Sequence, residues 1–140
     1  MSYLYHAFSK IIFFSAIVSG SVAGNMSGLL QSNWHFMNLL LTTDLKQQKV
    51  LLSNLLPSQV DLITEFFFNI SHVVDLNPSQ QKFLKKKLSV IKILSKVKRS
   101  RKARNTSIKH FQVTIIKLLE QVKDNIFSAG QTFNKSNDVD

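Results

Sequence analysis

The chain has 140 residues, no cysteine, 44% hydrophobic residues and a formal net charge of +10. That length suits one domain, and that apolar fraction argues against wholesale disorder. The lack of cysteine excludes disulfide staples, thiolate metal sites and cysteine nucleophiles, and eleven Phe against four Gly and two Pro favour helices over a turn-rich β fold.

Met1 to Lys10 is a polar-aromatic lead ending in one positive charge, and an apolar run beginning at Ile11 follows it. Ser21, Val22 and Ala23 then place small residues where a signal peptidase would cut before Gly24. This layout predicts a cleaved signal peptide over 1–23 and hence a secreted protein. The alternative is an N-terminal membrane anchor, but the apolar stretch is only about thirteen residues where a spanning helix needs about twenty. Asn25, Asn69, Asn105 and Asn134 each begin an N-x-S/T sequon, so all four are candidate glycosylation sites on a secretory route.

The remaining chain predicts one all-α domain over 24–130 and a flexible tail over 131–140. Four to five amphipathic helices would form an antiparallel bundle. From Leu29 to Leu56 apolar residues recur at helical spacing, with Trp34 on the stripe. Thr42-Thr43-Asp44 interrupts the run and offers a new N-cap, favouring two helices over one. Pro57 suits the first turn of the next helix, where Val60, Ile63, Phe67, Ile70 and Val74 step by three and four. Asp61, Thr64, Glu65, Ser71, His72 and Asp75 fall on the opposite side, which reads as a solvated face with Phe68 projecting from it. Asn77-Pro78 then opens a further helix.

The most conspicuous stretch is Lys82 to Arg104. It holds eleven of the eighteen basic residues and no acidic one, leaving seven basic against eight acidic residues elsewhere. The positive charge is therefore a local feature. Phe83, Leu84, Leu88, Val90, Ile91, Leu94 and Val97 cover one helical face, and Lys82, Lys85, Lys92 and Lys96 line the other. Lys87 alone points inward, where its ammonium would have to snorkel. Beyond Val97 the apolar period fails, so Lys98 to Arg104 reads as a basic linker. Asn105-Thr106-Ser107 would cap the last helix, and Gly130 is placed to end it.

No nucleophile elbow, P-loop, dinucleotide fingerprint or HExxH appears, so no cofactor, metal site or catalytic residue is assigned and the chain reads as non-enzymatic. The nearest constellation, Asp61 with Glu65 and His72, reads as ordinary surface. The candidate basic patch is Lys85, Lys92, Lys96, Lys98, Arg99, Arg101, Lys102 and Arg104. Its charge suits acidic membranes or sulfated polyanions. Nucleic acid is disfavoured, because a secretory address separates the chain from it and no aromatic interleaves the run to stack on bases. Lys98-Arg99, and Arg101 to Arg104 as a minimal R-x-x-R, also invite proteolytic processing in an exposed linker.

The run from Leu76 through Pro78 to Lys82-Phe83-Leu84-Lys85-Lys86 resembles the entry to a Lys-rich helix in the fatty-acid- and retinol-binding proteins of nematodes, and the layout is also similar to that of SXP-type antigens. Both groups are small, secreted, cysteine-free and helical. The resemblance implies an apolar ligand such as a lipid held between helices, and it transfers no binding residue. Trp34, Phe67, Phe68, Phe83 and Phe111 are the aromatics that would face such a ligand. The first functional expectation is thus a secreted binding protein for an apolar ligand or a protein partner. The alternative is a cationic surface-active protein acting through Lys82–Arg104.

Overall fold

The computed structural model describes residues 22–70 and 75–137. The expected signal-peptide core and His72 lie outside these residues. Within them the chain is all-helical, with no strand. Eight helical segments follow one another: α1 (Val22–Ser32), α2 (Trp34–Thr42), α3 (Leu45–Ser53), α4 (Pro57–Phe68), α5 (Pro78–Lys86), α6 (Leu88–Leu94), α7 (Arg101–His110) and α8 (Gln112–Asn137). The expected four to five helices become eight segments because three of them are interrupted by one-residue kinks.

Each kink has a local cause. At Asn33 (φ −111°, ψ 22°) the side-chain amide donates to the Leu29 carbonyl at 2.9 Å, competing with the helical ladder. Lys87 (φ −108°, ψ 15°) separates α5 from α6. It is the one lysine on the apolar face, and the break leaves it half-buried. Phe111 separates α7 from α8 with nearly the same backbone angles.

Two anticipated caps form. The Asp44 carboxylate accepts from the Gln47 backbone N–H at 2.8 Å, opening α3. Asn77 and Gln80 exchange side-chain to backbone bonds at 2.8 and 3.0 Å, the reciprocal capping box that opens α5. Gln80 also donates from Nε2 to the Gln121 carbonyl (2.7 Å) and to Asn125 Oδ1 (2.9 Å) on α8. The cap that starts α5 therefore also fastens it to the longest helix.

The core joins every segment. Met26, Leu30, Met37, Leu40, Leu52, Leu62, Phe66, Phe67, Ile70, Leu84, Leu94, Ile108, Leu118, Val122 and Ile126 are all essentially inaccessible. α4 is the centre, touching α1, α6 and α7, and α8 lies along α2, α3, α5 and α7. Burial on α4 runs most of the way around it, since Thr64 is as inaccessible as Leu62.

Two boundaries differ from expectation. Gly130 does not end α8, which continues to Asn137 and takes in most of the segment expected to be a flexible tail. Instead, Gly130 is buried, and a methyl group there would overlap the indole of Trp34. Glycine is required by this close approach, not by a turn. The other difference is the basic linker. Helix α7 begins at Arg101, four residues before the anticipated cap at Asn105, because the Ser100 hydroxyl accepts from the Ala103 N–H at 3.1 Å. Only Ser95 to Ser100 separates α6 from α7.

Candidate functional site

The cation-rich segment divides into two populations. Lys82, Lys85, Lys86, Lys92, Lys96, Lys98, Arg99 and Lys102 are exposed, and none forms a salt bridge with a carboxylate among the described residues. Lys82, Lys85, Lys92 and Lys96 follow one another along the outer side of α5 and α6 and into the turn. The opposite side, with Leu84, Ile91 and Leu94 fully buried and Phe83, Leu88 and Val90 packed on them, faces the core. Lys98 and Arg99 occupy the turn, and Lys102 sits in the first turn of α7. Positive charge there opposes the partial positive charge of a helix N-terminus, and α7 has no acidic residue in that turn to compensate.

Arg101 and Arg104 behave differently. Both reach across to Asp61 on α4, Arg101 through Nη2 at 2.8 Å and Nε at 3.3 Å, and Arg104 through Nη1 at 3.0 Å. Arg104 is the more enclosed, with its side chain 13% exposed against 54% for Arg101. It also donates to the Thr64 hydroxyl (3.3 Å) and to the Arg99 carbonyl (3.1 Å). The supposed solvated face of α4 is therefore a helix–helix interface, in which Asp61 and Thr64 are partners of α7. Burial pushes the Asp61 carboxyl up, but the hydrogen bonds and charges of Arg101 and Arg104 together outweigh it and hold the group below its ordinary range. One turn along, burial pushes the Glu65 carboxyl upward despite a hydrogen bond from Asn69 and the charge of Arg104.

These contacts correct several expectations. The R-x-x-R run lies inside a helix with both arginines engaged, which is not the extended, exposed geometry a protease requires. Lys98-Arg99 stays in the exposed turn. Asn69 is fully buried, and its amide nitrogen donates to the Glu65 carbonyl at 2.9 Å and the Glu65 carboxylate at 3.2 Å, so the folded chain has no room for a glycan there. Asn105 is half-buried within α7, with its Oδ1 enclosed. Asn25 and Asn134 fall on α1 and α8.

Four of the five aromatics named for an apolar ligand are engaged with protein. Phe67 is 2% exposed and meets Phe66 edge-on at 5.4 Å. Trp34 meets Phe127 edge-on at 6.3 Å. Phe83 and Phe111 pack against the core, and Phe68 is half-buried at the end of α4. Among the described residues no His, Asp or Glu cluster is arranged to hold a metal ion, and no helix is long and apolar enough to cross a membrane.

The pairing of Asp61 with Arg101 and Arg104 was the main feature that sequence reasoning missed. The one available signal was a lone Asp at the start of an amphipathic helix, in a chain with few acidic residues, and nothing in it identified the partner forty residues away. No protein-family model, characterised protein or solved structure matches the chain.

Proposed function

We propose that this protein is a non-enzymatic polyanion-binding protein that engages highly sulfated polysaccharide outside the cell, through Lys82, Lys85, Lys92, Lys96, Lys98, Arg99 and Lys102. The observation that carries this reading is a run of exposed cations without carboxylate partners among the described residues, next to two arginines that share the one carboxylate of Asp61. Were the charge only a solubilising surface, acidic residues would be expected between the lysines. Lys82 to Arg104 contains none.

The choice of polysaccharide over membrane rests on the inner side of α5 and α6. An amphipathic helix gains membrane affinity by burying its apolar face among acyl chains, and here that face is committed to the core through Leu84, Ile91 and Leu94. Binding is then electrostatic without insertion, which suits a flexible, densely charged polymer. The expected secretory address would bring the chain to such polymers. The apolar-ligand reading draws less support, because four of its five aromatics pack against the core or one another.

The test is salt-gradient elution of the full chain from immobilised heparin, alongside sedimentation with phosphatidylserine vesicles. Retention should fall steeply with salt and drop to near the void after Gln replacement of Lys85, Lys92, Lys96, Lys98, Arg99 and Lys102. Undiminished retention of that variant would refute the assignment. Vesicle binding that outlasts heparin binding as salt rises would refute the choice of polysaccharide.

A further inference from the structure

We infer that Asp61 acts as an internal competitor for the polyanion, holding Arg101 in a contact that sulfate groups can take over, while Arg104 remains as a fixed anchor. The inference rests on the polyanion reading and adds to it the residue that tunes the surface.

The two arginines bind the same carboxylate but are not equivalent. Arg104 has three separate acceptors, Asp61 Oδ1, Thr64 Oγ1 and the Arg99 carbonyl, and little exposure. Moving it would strand several groups at once. Among the described residues Arg101 has one partner, Asp61, which it meets edge-on through Nε and Nη2. Its side chain is 54% exposed, and its remaining N–H donors are left on the outer edge of the guanidinium. The exposed side of Arg101 leaves this contact open to water and salt, which weaken it. If Arg101 turns outward, Asp61 keeps Arg104 at 3.0 Å and is not left as a bare part-buried charge.

A sulfate oxygen pair offers Arg101 the same two-pronged geometry that Asp61 does. Arg101 also follows directly on Lys98, Arg99 and Ser100, where the exposed cations concentrate the polymer. Exchange from Asp61 to sulfate thus adds a cation to the contact without opening the core. Its cost is the Asp61 contact, so removing the Asp61 charge should increase affinity specifically through Arg101.

A double-mutant cycle with a heparin octasaccharide tests this, using the full chain, Asp61→Asn, Arg101→Gln and the double variant, each checked for helicity by circular dichroism. Asp61→Asn should tighten binding about fivefold, the share of one cation on an anionic surface, and the gain should vanish in the Arg101→Gln background. Equal gains in both backgrounds would mean that Asp61 acts only through net charge, and would overturn the inference while leaving the polyanion reading intact. Failure of the parent chain to bind the octasaccharide would overturn both. Should Asp61→Asn not fold, the parent chain still decides, by NMR of its arginine Nε–H signals. On titration the Arg101 signal should shift and the Arg104 signal should stay; an unmoved Arg101 signal overturns the proposal.

Discussion

Asp61 shows how much one carboxylate can organise in a chain so rich in lysine. It receives two guanidinium groups from the first turns of α7 and so relieves the repulsion that Arg101 and Arg104 would otherwise add to that helix N-terminus. The contributions of the two arginines to stability should differ with their enclosure. Arg104→Met removes hydrogen bonds to Asp61, Thr64 and the Arg99 carbonyl and should cost about 2 kcal/mol, the usual scale for bonds to charged groups. Arg101→Met should leave the urea midpoint close to that of the parent chain. Equal losses in urea unfolding would show that exposure does not separate the roles of these residues.

At the scale of elements, the kinks at Asn33, Lys87 and Phe111 let short amphipathic pieces wrap a central α4 while keeping their apolar faces inward. α8 needs no kink, because its apolar residues keep helical spacing from Ile115 to Ile126 and Gly130 lets Trp34 pack closely against it. Gly130→Ala would normally favour a helix by about 1 kcal/mol. Here the added methyl would meet a rigid indole, and overpacking of this kind costs about 1–3 kcal/mol. The net outcome should be destabilisation, together with a change in Trp34 fluorescence as the ring is displaced. A more stable variant with an unchanged spectrum would show that the indole has room to move.

For the whole molecule, the two α4 carboxylates set opposed responses to acid. Asp61 has a folded pKa below its ordinary value of 3.8, so its stabilisation is complete above that value and is lost as the pH falls through the lower folded one. Glu65 has a folded pKa above its ordinary value of 4.5, so its charged form weakens the fold, and acidification through that higher value relieves the penalty. Stability against urea should therefore hold or rise slightly as the pH approaches 4.5 from above, then fall below 3.8. Asp61→Asn should flatten the fall, and Glu65→Gln should remove the rise. A monotonic loss beginning at neutral pH, unchanged in both variants, would place the acid response in other groups.

The helical class, the caps at Asp44 and Asn77, the Pro57 helix start and the inward faces of α4, α5 and α8 were legible from spacing alone, because they depend on residues within one or two turns of each other. The concentration of cations between Lys82 and Arg104 was equally plain. Tertiary structure decided which of those cations are available. Asp61 and Thr64 looked like solvent-facing residues until α7 packed across them, and Arg101 and Arg104 looked like linker until Ser100 capped their helix. Gly130 looked like a stop until Trp34, nearly a hundred positions earlier, was found against it. A local pattern records which face of a helix is apolar. Only the packed chain brings a carboxylate to a guanidinium forty residues away, and it leaves Lys98 and Lys102 exposed beside that contact.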